Sequence, residues 1–291
     1  MSSKLGTISA WLTPILGDHK AQASKKPFIL ALSGVQGCGK STLVTHLQAD
    51  LMAKGFRTAQ LSLDDLYLTF REQSRLSDGG NRLWASRGQF GTHDTELAES
   101  LFTRLANLTE GSVAIPFYDK SLHDGRGDRA PEGSWTTVDG PLDVIIFEGW
   151  GVGFQALSET QLKSAFESAH GDPHSQVSKH TFGDLRDVND ALKRYSDTFM
   201  GPQSFDALVL LQAQETTFVY DWRLQQEHAM WAVKGRGMTD DQVKAFVDRY
   251  YTSYELYLPR LISGMFTGTK QGRQLNLRMD KTRQLVGFDV L

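Results

Sequence analysis

The chain has 291 residues, 40% hydrophobic and 22% charged, and 31 Lys and Arg against 34 Asp and Glu leave a formal charge of −3. That length buries a large core, as one big α/β domain or two modest ones, and the slight acidity gives no basic excess to hold a nucleic-acid backbone. A single cysteine, Cys38, excludes an internal disulfide and a cysteine-built metal site.

The start, Met1 to Leu12, has neither a signal-peptide core nor an Arg-rich transit pattern, and no apolar run reaches the length of a membrane span. The expectation is a cytosolic protein, with the nucleus left open, that binds neither membrane nor nucleic acid. Phe28-Ile-Leu-Ala-Leu-Ser33 reads as a buried strand. Directly behind it, Gly34-Val-Gln-Gly-Cys-Gly-Lys-Ser41 has the spacing of a phosphate-cradling P-loop. Gly34, Gly37 and Gly39 can take backbone angles closed to residues with a Cβ, so successive N–H groups can line a concave anion nest. Gly34, Val35, Gln36, Gly37, Cys38 and Gly39, with Lys40, Ser41 and Thr42, are therefore the expected cradle of a nucleoside triphosphate. Lys40 would set a compact charge against the β and γ phosphates, and Ser41 would offer a hard oxygen to Mg2+. A helix N-terminus lowers a thiol pKa, which makes Cys38 a redox candidate; the simpler reading is a loop contact that wants a small side chain. Thr42 to Lys54 carries Leu43, Val44, Leu47, Leu51 and Met52 at helical spacing and stops at Gly55.

Arg57 to Leu63 reads as a strand with Asp64 and Asp65 at its carboxyl end, where open α/β sheets bind ligands. Residues 71–93, polar and glycine-rich with Arg71, Arg75, Arg82 and Arg87, read as a long functional loop or small lid. Thr95 to Leu108 reads as a helix, Ser112 to Tyr118 as a short strand and Asp119 to Arg129 as a charged loop. Asp143-Val-Ile-Ile-Phe147 is a clear buried strand ending at Glu148, a position suited to holding Mg2+ or its waters beside a P-loop. Residues 152–204 read as a helical insertion with a mobile polar stretch from His170 to Lys179, followed by a strand from Phe205 to Leu211 and a helix from Glu215 to Val233. Thr239-Asp-Asp-Gln242 is a capping box, and Val243, Phe246, Val247, Tyr250, Tyr251, Tyr254 and Leu258 then recur at helical spacing until Pro259. Arg273 to Arg278 and Gln284 to Asp289 read as a terminal hairpin. The alternation predicts one domain over residues 1–291: an α/β fold with a doubly wound, mainly parallel sheet and helices on both faces.

A GTP switch would need a guanine-reading Asn-Lys-x-Asp segment, and the sequence has none. A small-molecule kinase needs a carboxylate near the γ phosphate to orient or deprotonate an acceptor hydroxyl, and Asp64 is the natural candidate. Ser62-Leu-Asp-Asp-Leu-Tyr67 and Phe147-Glu-Gly149 resemble the matching segments of the uridine kinase, phosphoribulokinase and pantothenate kinase superfamily. Longer stretches are similar to the plant-type D-glycerate 3-kinases and their fungal ATP-dependent kinase relatives. These are Ser86 to Asp94, Pro116 to Ser121 with Gly125 to Arg129, Phe147 to Phe154, Trp222 to Glu227 and Phe246 to Tyr250. The resemblance implies phosphorylation of a small hydroxylated substrate by ATP and Mg2+, with Asp64 as base, Glu148 in the metal shell and Arg223 as a lid arginine over the transferred phosphate.

Arg87, His93, Lys120 and Arg129 concentrate cations in two loops that should border the phosphate end of the sheet. If they converge they favour an anionic acceptor such as D-glycerate, because a carboxylate wants a bidentate Arg or a nearby Lys. Each could instead be a solvated loop charge, and Arg223 could pair with Glu227 at i, i+4. Two alternatives stay open: a kinase of a nucleoside, pantothenate or sugar phosphate, and a nucleotide-dependent binding protein without acceptor chemistry. Oligomeric state is also open, with a monomer compatible.

Overall fold

The computed structural model describes residues 3–22, 26–235 and 237–291. In chain order the elements are α1 (Lys4–Ala21), β1 (Phe28–Gly34), α2 (Lys40–Ala53), β2 (Thr58–Ser62), α3 (Phe70–Ser77), α4 (Thr95–Ala106), β3 (Ser112–Ile115), β4 (Tyr118–Asp119), β5 (Asp128–Arg129) and β6 (Thr136–Asp139). They continue with β7 (Val144–Gly149), α5 (Glu159–Ala169), α6 (Phe182–Thr198), β8 (Ala207–Ala213), α7 (Phe218–Lys234), α8 (Asp240–Ile262), β9 (Gln274–Met279) and β10 (Leu285–Val290).

Six strands make the central sheet in the order β10-β9-β8-β1-β7-β2. All neighbours are parallel except the terminal hairpin pair β9 and β10. The strands are nearly continuous apolar runs because the sheet is covered by helices: Leu30, Leu32, Val144, Ile145, Ile146, Phe147, Leu208, Val209 and Leu210 are all fully buried. Chain direction reverses its spread at β1, between β7 and β8, so the crevice beyond its carboxyl end is the topological switch point where such sheets take ligands.

Several local expectations need correction. The segment 71–93 is not one loop. Thr69 and Glu72 form a capping box that starts α3, and Leu83, Gln89, Phe90, Thr92 and His93 are buried against the body. Pro116 divides the expected strand of residues 112–118, because it donates no ladder hydrogen bond. Its halves pair with β6 and β5 in separate two-stranded ribbons. α8 runs past Pro259 to Ile262, since Leu258 and Leu261 still face the core, and α7 starts at Phe218. The polar stretch after α5 is held at its second half: the Glu255 carboxylate accepts hydrogen bonds from Ser175 Oγ and from the backbone N–H of Gln176 and Val177. Met52 is exposed, while Leu43, Val44, Leu47 and Leu51 of α2 are buried.

Candidate functional site

β1 delivers the chain into the glycine loop, and α2 begins at Lys40 with Gly39 as its N-cap at φ +94°. Gly37 also has positive φ, +74°, and a Cβ there would stand 2.7 Å from the Cβ of Trp222 on α7. Lys40 Nζ reaches back over the loop and donates to the carbonyls of Gly34 at 2.7 Å and Val35 at 3.2 Å. A polar cleft of about 380 Å³ opens beside it, lined by Gly37, Gly39, Lys40, Ser41, Thr42, Gln225, Gln226 and Arg283. Val35 and Cys38 do not reach the cleft: both side chains are buried in the core. The N–H of Gln36 is spent on Tyr254 Oη at 3.2 Å. Burial pushes the Cys38 thiol above its ordinary pKa, against the helix-terminus effect, so the redox reading loses its chemical basis.

The acids gather at adjacent strand ends. Glu148, on β7, is in register with Leu32 of β1 and Ser62 of β2, and Asp64 follows two residues past Ser62 in a 3-10 turn. Burial pushes the Glu148 carboxyl up from its usual range; Lys40 opposes this and Asp64 adds to it. Asp64 Oδ1 accepts from Tyr67 Oη at 3.0 Å, and Oδ2 forms an ion pair with Lys120 Nζ. Burial alone would raise the Asp64 carboxyl, but the Lys120 charge and hydrogen bond, helped by the Tyr67 hydroxyl, hold it at about 2. Lys120 is pulled down by burial and pulled up more by Asp64. The two side chains are 52% and 32% exposed, so an incoming anion can compete for the pair. Asp65 caps the Tyr118 N–H at 3.2 Å, and its carboxyl is pushed up to about 6, first by burial and then by Asp64 and Glu148.

Of the four expected acceptor-binding cations, Lys120 meets the acids and Arg87 stands close by. Arg87 lies over the Tyr118 ring at 5.6 Å, donates to the carbonyls of Gly125 and Arg126, and lowers the pKa of Lys120. It pairs with no carboxylate among the described residues. Arg129 is already committed, since its guanidinium pairs with Asp94 at 2.8 Å and donates to the Tyr67 carbonyl at 3.0 Å. His93 is not a cation: burial holds its pKa at about 3, its Nδ1 meets Tyr195 Oη at 3.1 Å, and its ring stacks on Tyr67 at 4.4 Å. It thereby fixes the tyrosine that holds Asp64. Arg223 does not line the cleft either; it pairs with Glu227 at 2.7 Å and lies 5.3 Å from the Phe246 ring centre. The i, i+4 spacing on α7 puts the two on one face.

Tyr67, Tyr250 and Arg283 belong to the site and were not foreseen. Tyr67 adjoins the Asp-Asp pair in sequence, which was a readable signal. Tyr250 is fully within the field of Asp64 and Lys120, yet its place in an aromatic stripe reads as core. Arg283 comes from the far end of the chain and left no sequence signal.

No group of three or more His, Cys, Asp or Glu forms a metal cage among the described residues. Mg2+ beside a nucleotide is ordinarily held through one or two carboxylates together with phosphate oxygens and water. Ser41 borders the cleft and Glu148 lies on β7 beside it in charge reach of Lys40, each with an oxygen of the kind Mg2+ takes. No helix among the described residues is long and apolar enough to cross a membrane.

No family model matches the chain. It is 38% identical over 261 residues to the chloroplastic D-glycerate 3-kinase of Arabidopsis thaliana, covering 88% of this chain and 53% of that protein. The chain thus spans about half the length of the plant relative. It is 40% identical over 247 residues to an uncharacterized kinase of Schizosaccharomyces pombe, covering 84% of this chain and 86% of the relative. The solved D-glycerate 3-kinase from Cryptococcus neoformans superposes with a TM-score of 0.90 at 32% identity, over 100% of both chains. A glycine loop between β1 and α2, acids at adjoining strand ends, and a likeness over most of the chain in sequence and all of it in structure lead to one conclusion: the chain belongs to the family of P-loop kinases, phosphotransferases with a hydroxyl acceptor, that contains these proteins.

Proposed function

We propose that the chain is an ATP-dependent kinase that transfers the γ phosphoryl group to a hydroxyl of a small anionic acceptor, D-glycerate, giving 3-phosphoglycerate. The observation that carries this reading is the Asp64–Lys120 pair, a base and a cation held together at a strand end beside Glu148 and the P-loop. The D-glycerate 3-kinases among the relatives support the choice of acceptor.

Phosphoryl transfer asks the protein mainly for positioning and charge stabilisation. Lys40 would move from the loop carbonyls to the β and γ phosphates. Bound Mg2+ would neutralise charge on the phosphate oxygens, with Ser41 and Glu148 holding it. Asp64, ionised at any physiological pH, would accept the hydrogen bond of the acceptor hydroxyl. Tyr67 fixes its orientation. An acceptor carboxylate competes with Asp64 for Lys120, and Arg87 offers it a second charge. As Lys120 turns toward the substrate, Asp64 loses the cation that suppresses its basicity, so acceptor binding itself makes the base stronger. Arg223 would serve the transferred phosphate only after leaving Glu227.

The test is an acceptor panel of D-glycerate, uridine, pantothenate and ribulose 5-phosphate, read by ADP release with ATP and Mg2+. D-glycerate is expected to support turnover and uridine to fail. Turnover with another member and none with D-glycerate would replace the acceptor. Tight ATP binding with no turnover at all would favour the binding-protein alternative.

A further inference from the structure

The turn of the terminal hairpin, Asp280 to Gln284, reaches the P-loop from the opposite end of the sequence. Arg283 Nε donates to the Gly37 carbonyl at 2.7 Å, and Nη1 donates to Gln225 Oε1 at 2.9 Å. The guanidinium lies 5.2 Å from the ring centre of Trp222, whose indole N–H in turn donates to the Lys281 carbonyl at 2.7 Å. Lys281 pairs with Asp221, and Arg283 Nη2 donates to the Trp222 carbonyl at 3.5 Å, so the turn is fastened to α7 at four points. Arg283 itself sits at φ +64°, a left-handed conformation that a non-glycine residue adopts only under constraint.

The charge of Arg283 is not neutralised. It pairs with no carboxylate among the described residues, and nearby Asp280 is occupied by Thr282 and Gln284. Arg283 also lines the cleft beside the loop, together with Thr42, Gln225 and Gln226. Neither Asp64, Glu148 nor Lys120 lines that cleft. Lys40 separates the two sides: its charge acts on Glu148, while it also borders the cleft. The acid side is the γ phosphate end of an ATP in the loop. Lys40 and Ser41 meet the terminal phosphates, so the rest of the cleft lining, with Gln225, Gln226 and Arg283, is the nucleoside end.

Resting on the ATP reading above, we infer that Arg283 is a nucleotide-binding residue. It meets the α phosphate of the bound nucleotide, and Gln225 and Gln226 form the polar wall along which the nucleoside lies. A planar fork whose Nε is pinned to a loop carbonyl presents its remaining N–H groups in a fixed direction, which suits a phosphate. The hairpin thus completes a cleft whose other half comes from the first strand and helix.

Binding of ADP, ATP and pyrophosphate, measured by calorimetry on the full chain and on Arg283→Gln, tests this without any acceptor. Pyrophosphate carries the two terminal phosphates and no α phosphate or nucleoside. The variant is expected to bind ADP and ATP about tenfold more weakly, the scale of one charge-assisted contact, and pyrophosphate within twofold of the parent. Equal weakening of all three ligands would make Arg283 a brace for the Gly37 carbonyl and overturn the inference, as would unchanged ADP affinity. If Arg283→Gln melts early, Arg283→Lys carries the same comparison, since it keeps a charge and loses the fork; it should recover part of the ADP affinity. A parent protein that binds neither ATP nor pyrophosphate would count against the kinase reading itself, a result distinct from the others.

Discussion

Asp64→Asn keeps the shape of the base and removes its charge. Turnover is expected to fall by ~10²- to 10⁴-fold, the range of a general base, with ATP affinity within a few-fold of the parent; near-normal turnover in a coupled ADP assay would remove Asp64 from the chemistry. Lys120→Met separates two roles. KM for the acceptor should rise, and Asp64, left with burial and without its cation, should titrate higher than about 2 in the free enzyme, so the acid limb of the kcat/KM profile moves to higher pH. An unmoved limb would mean that the pair does not control the base. His93 makes a claim about stability. It stays neutral in the fold down to about 3 while the unfolded chain protonates near 6.5, so its contribution is complete above pH 6.5 and is lost as pH falls. That loss is ~2 kcal/mol by pH 5. Asp65 works in the other sense, since its raised carboxyl gains stability as pH falls from about 6 toward the ordinary carboxylate range. The difference between the parent and His93→Gln in melting temperature from pH 7.5 to 5 therefore isolates the histidine. Parallel curves would refute its buried neutral state.

Elements were legible where one residue type repeats and hidden where tertiary contact decides. β1 and β7 announce themselves as apolar runs in front of Gly34 and Glu148, and α8 announces itself by Thr239, Gln242 and its stripe. α1 does not stand out in the sequence, although Ser3 caps it and Ile8, Leu12 and Leu16 recur on one face, because Pro14 and Gly17 interrupt the pattern. α3 reads as loop because its segment is polar and rich in arginine and glycine, and in the fold only Gln73 of the helix is buried. The order of residues 86–93 comes instead from α8 and from Tyr195 of α6, whose hydroxyl accepts from the Gly91 and His93 N–H groups. Gln89 Oε1 accepts from Ser253 Oγ at 2.7 Å, and Gly88, at φ +142°, lies directly against the Tyr250 ring and hydroxyl. A methyl at residue 88 has no room, so Gly88→Ala should cost about 2 kcal/mol in urea unfolding and disturb Tyr250 within the site. A stability within a few tenths of a kcal/mol of the parent would contradict this packing.

Across the whole molecule, the glycine loop and the two acids were readable because their chemistry is written in contiguous residues. The fate of the cations was not. Asp94 claims Arg129, Tyr195 and burial neutralise His93, Glu227 holds Arg223, and Arg283 meets Gly37 across 246 positions. All but the Arg223–Glu227 pair, whose i, i+4 spacing the sequence already offers, depend on a partner that only the folded topology supplies. What the topology does supply is one crevice at the switch point, with a phosphate loop on β1 and carboxylates on β7 and beyond β2. The direct measurement of that arrangement is the fate of the γ phosphate. Incubation with ATP, Mg2+ and D-glycerate, followed by 31P NMR, should yield ADP and the phosphomonoester of 3-phosphoglycerate in equal amounts. Glycerate recovered unchanged, with ADP matched by free phosphate or not formed, would contradict the account.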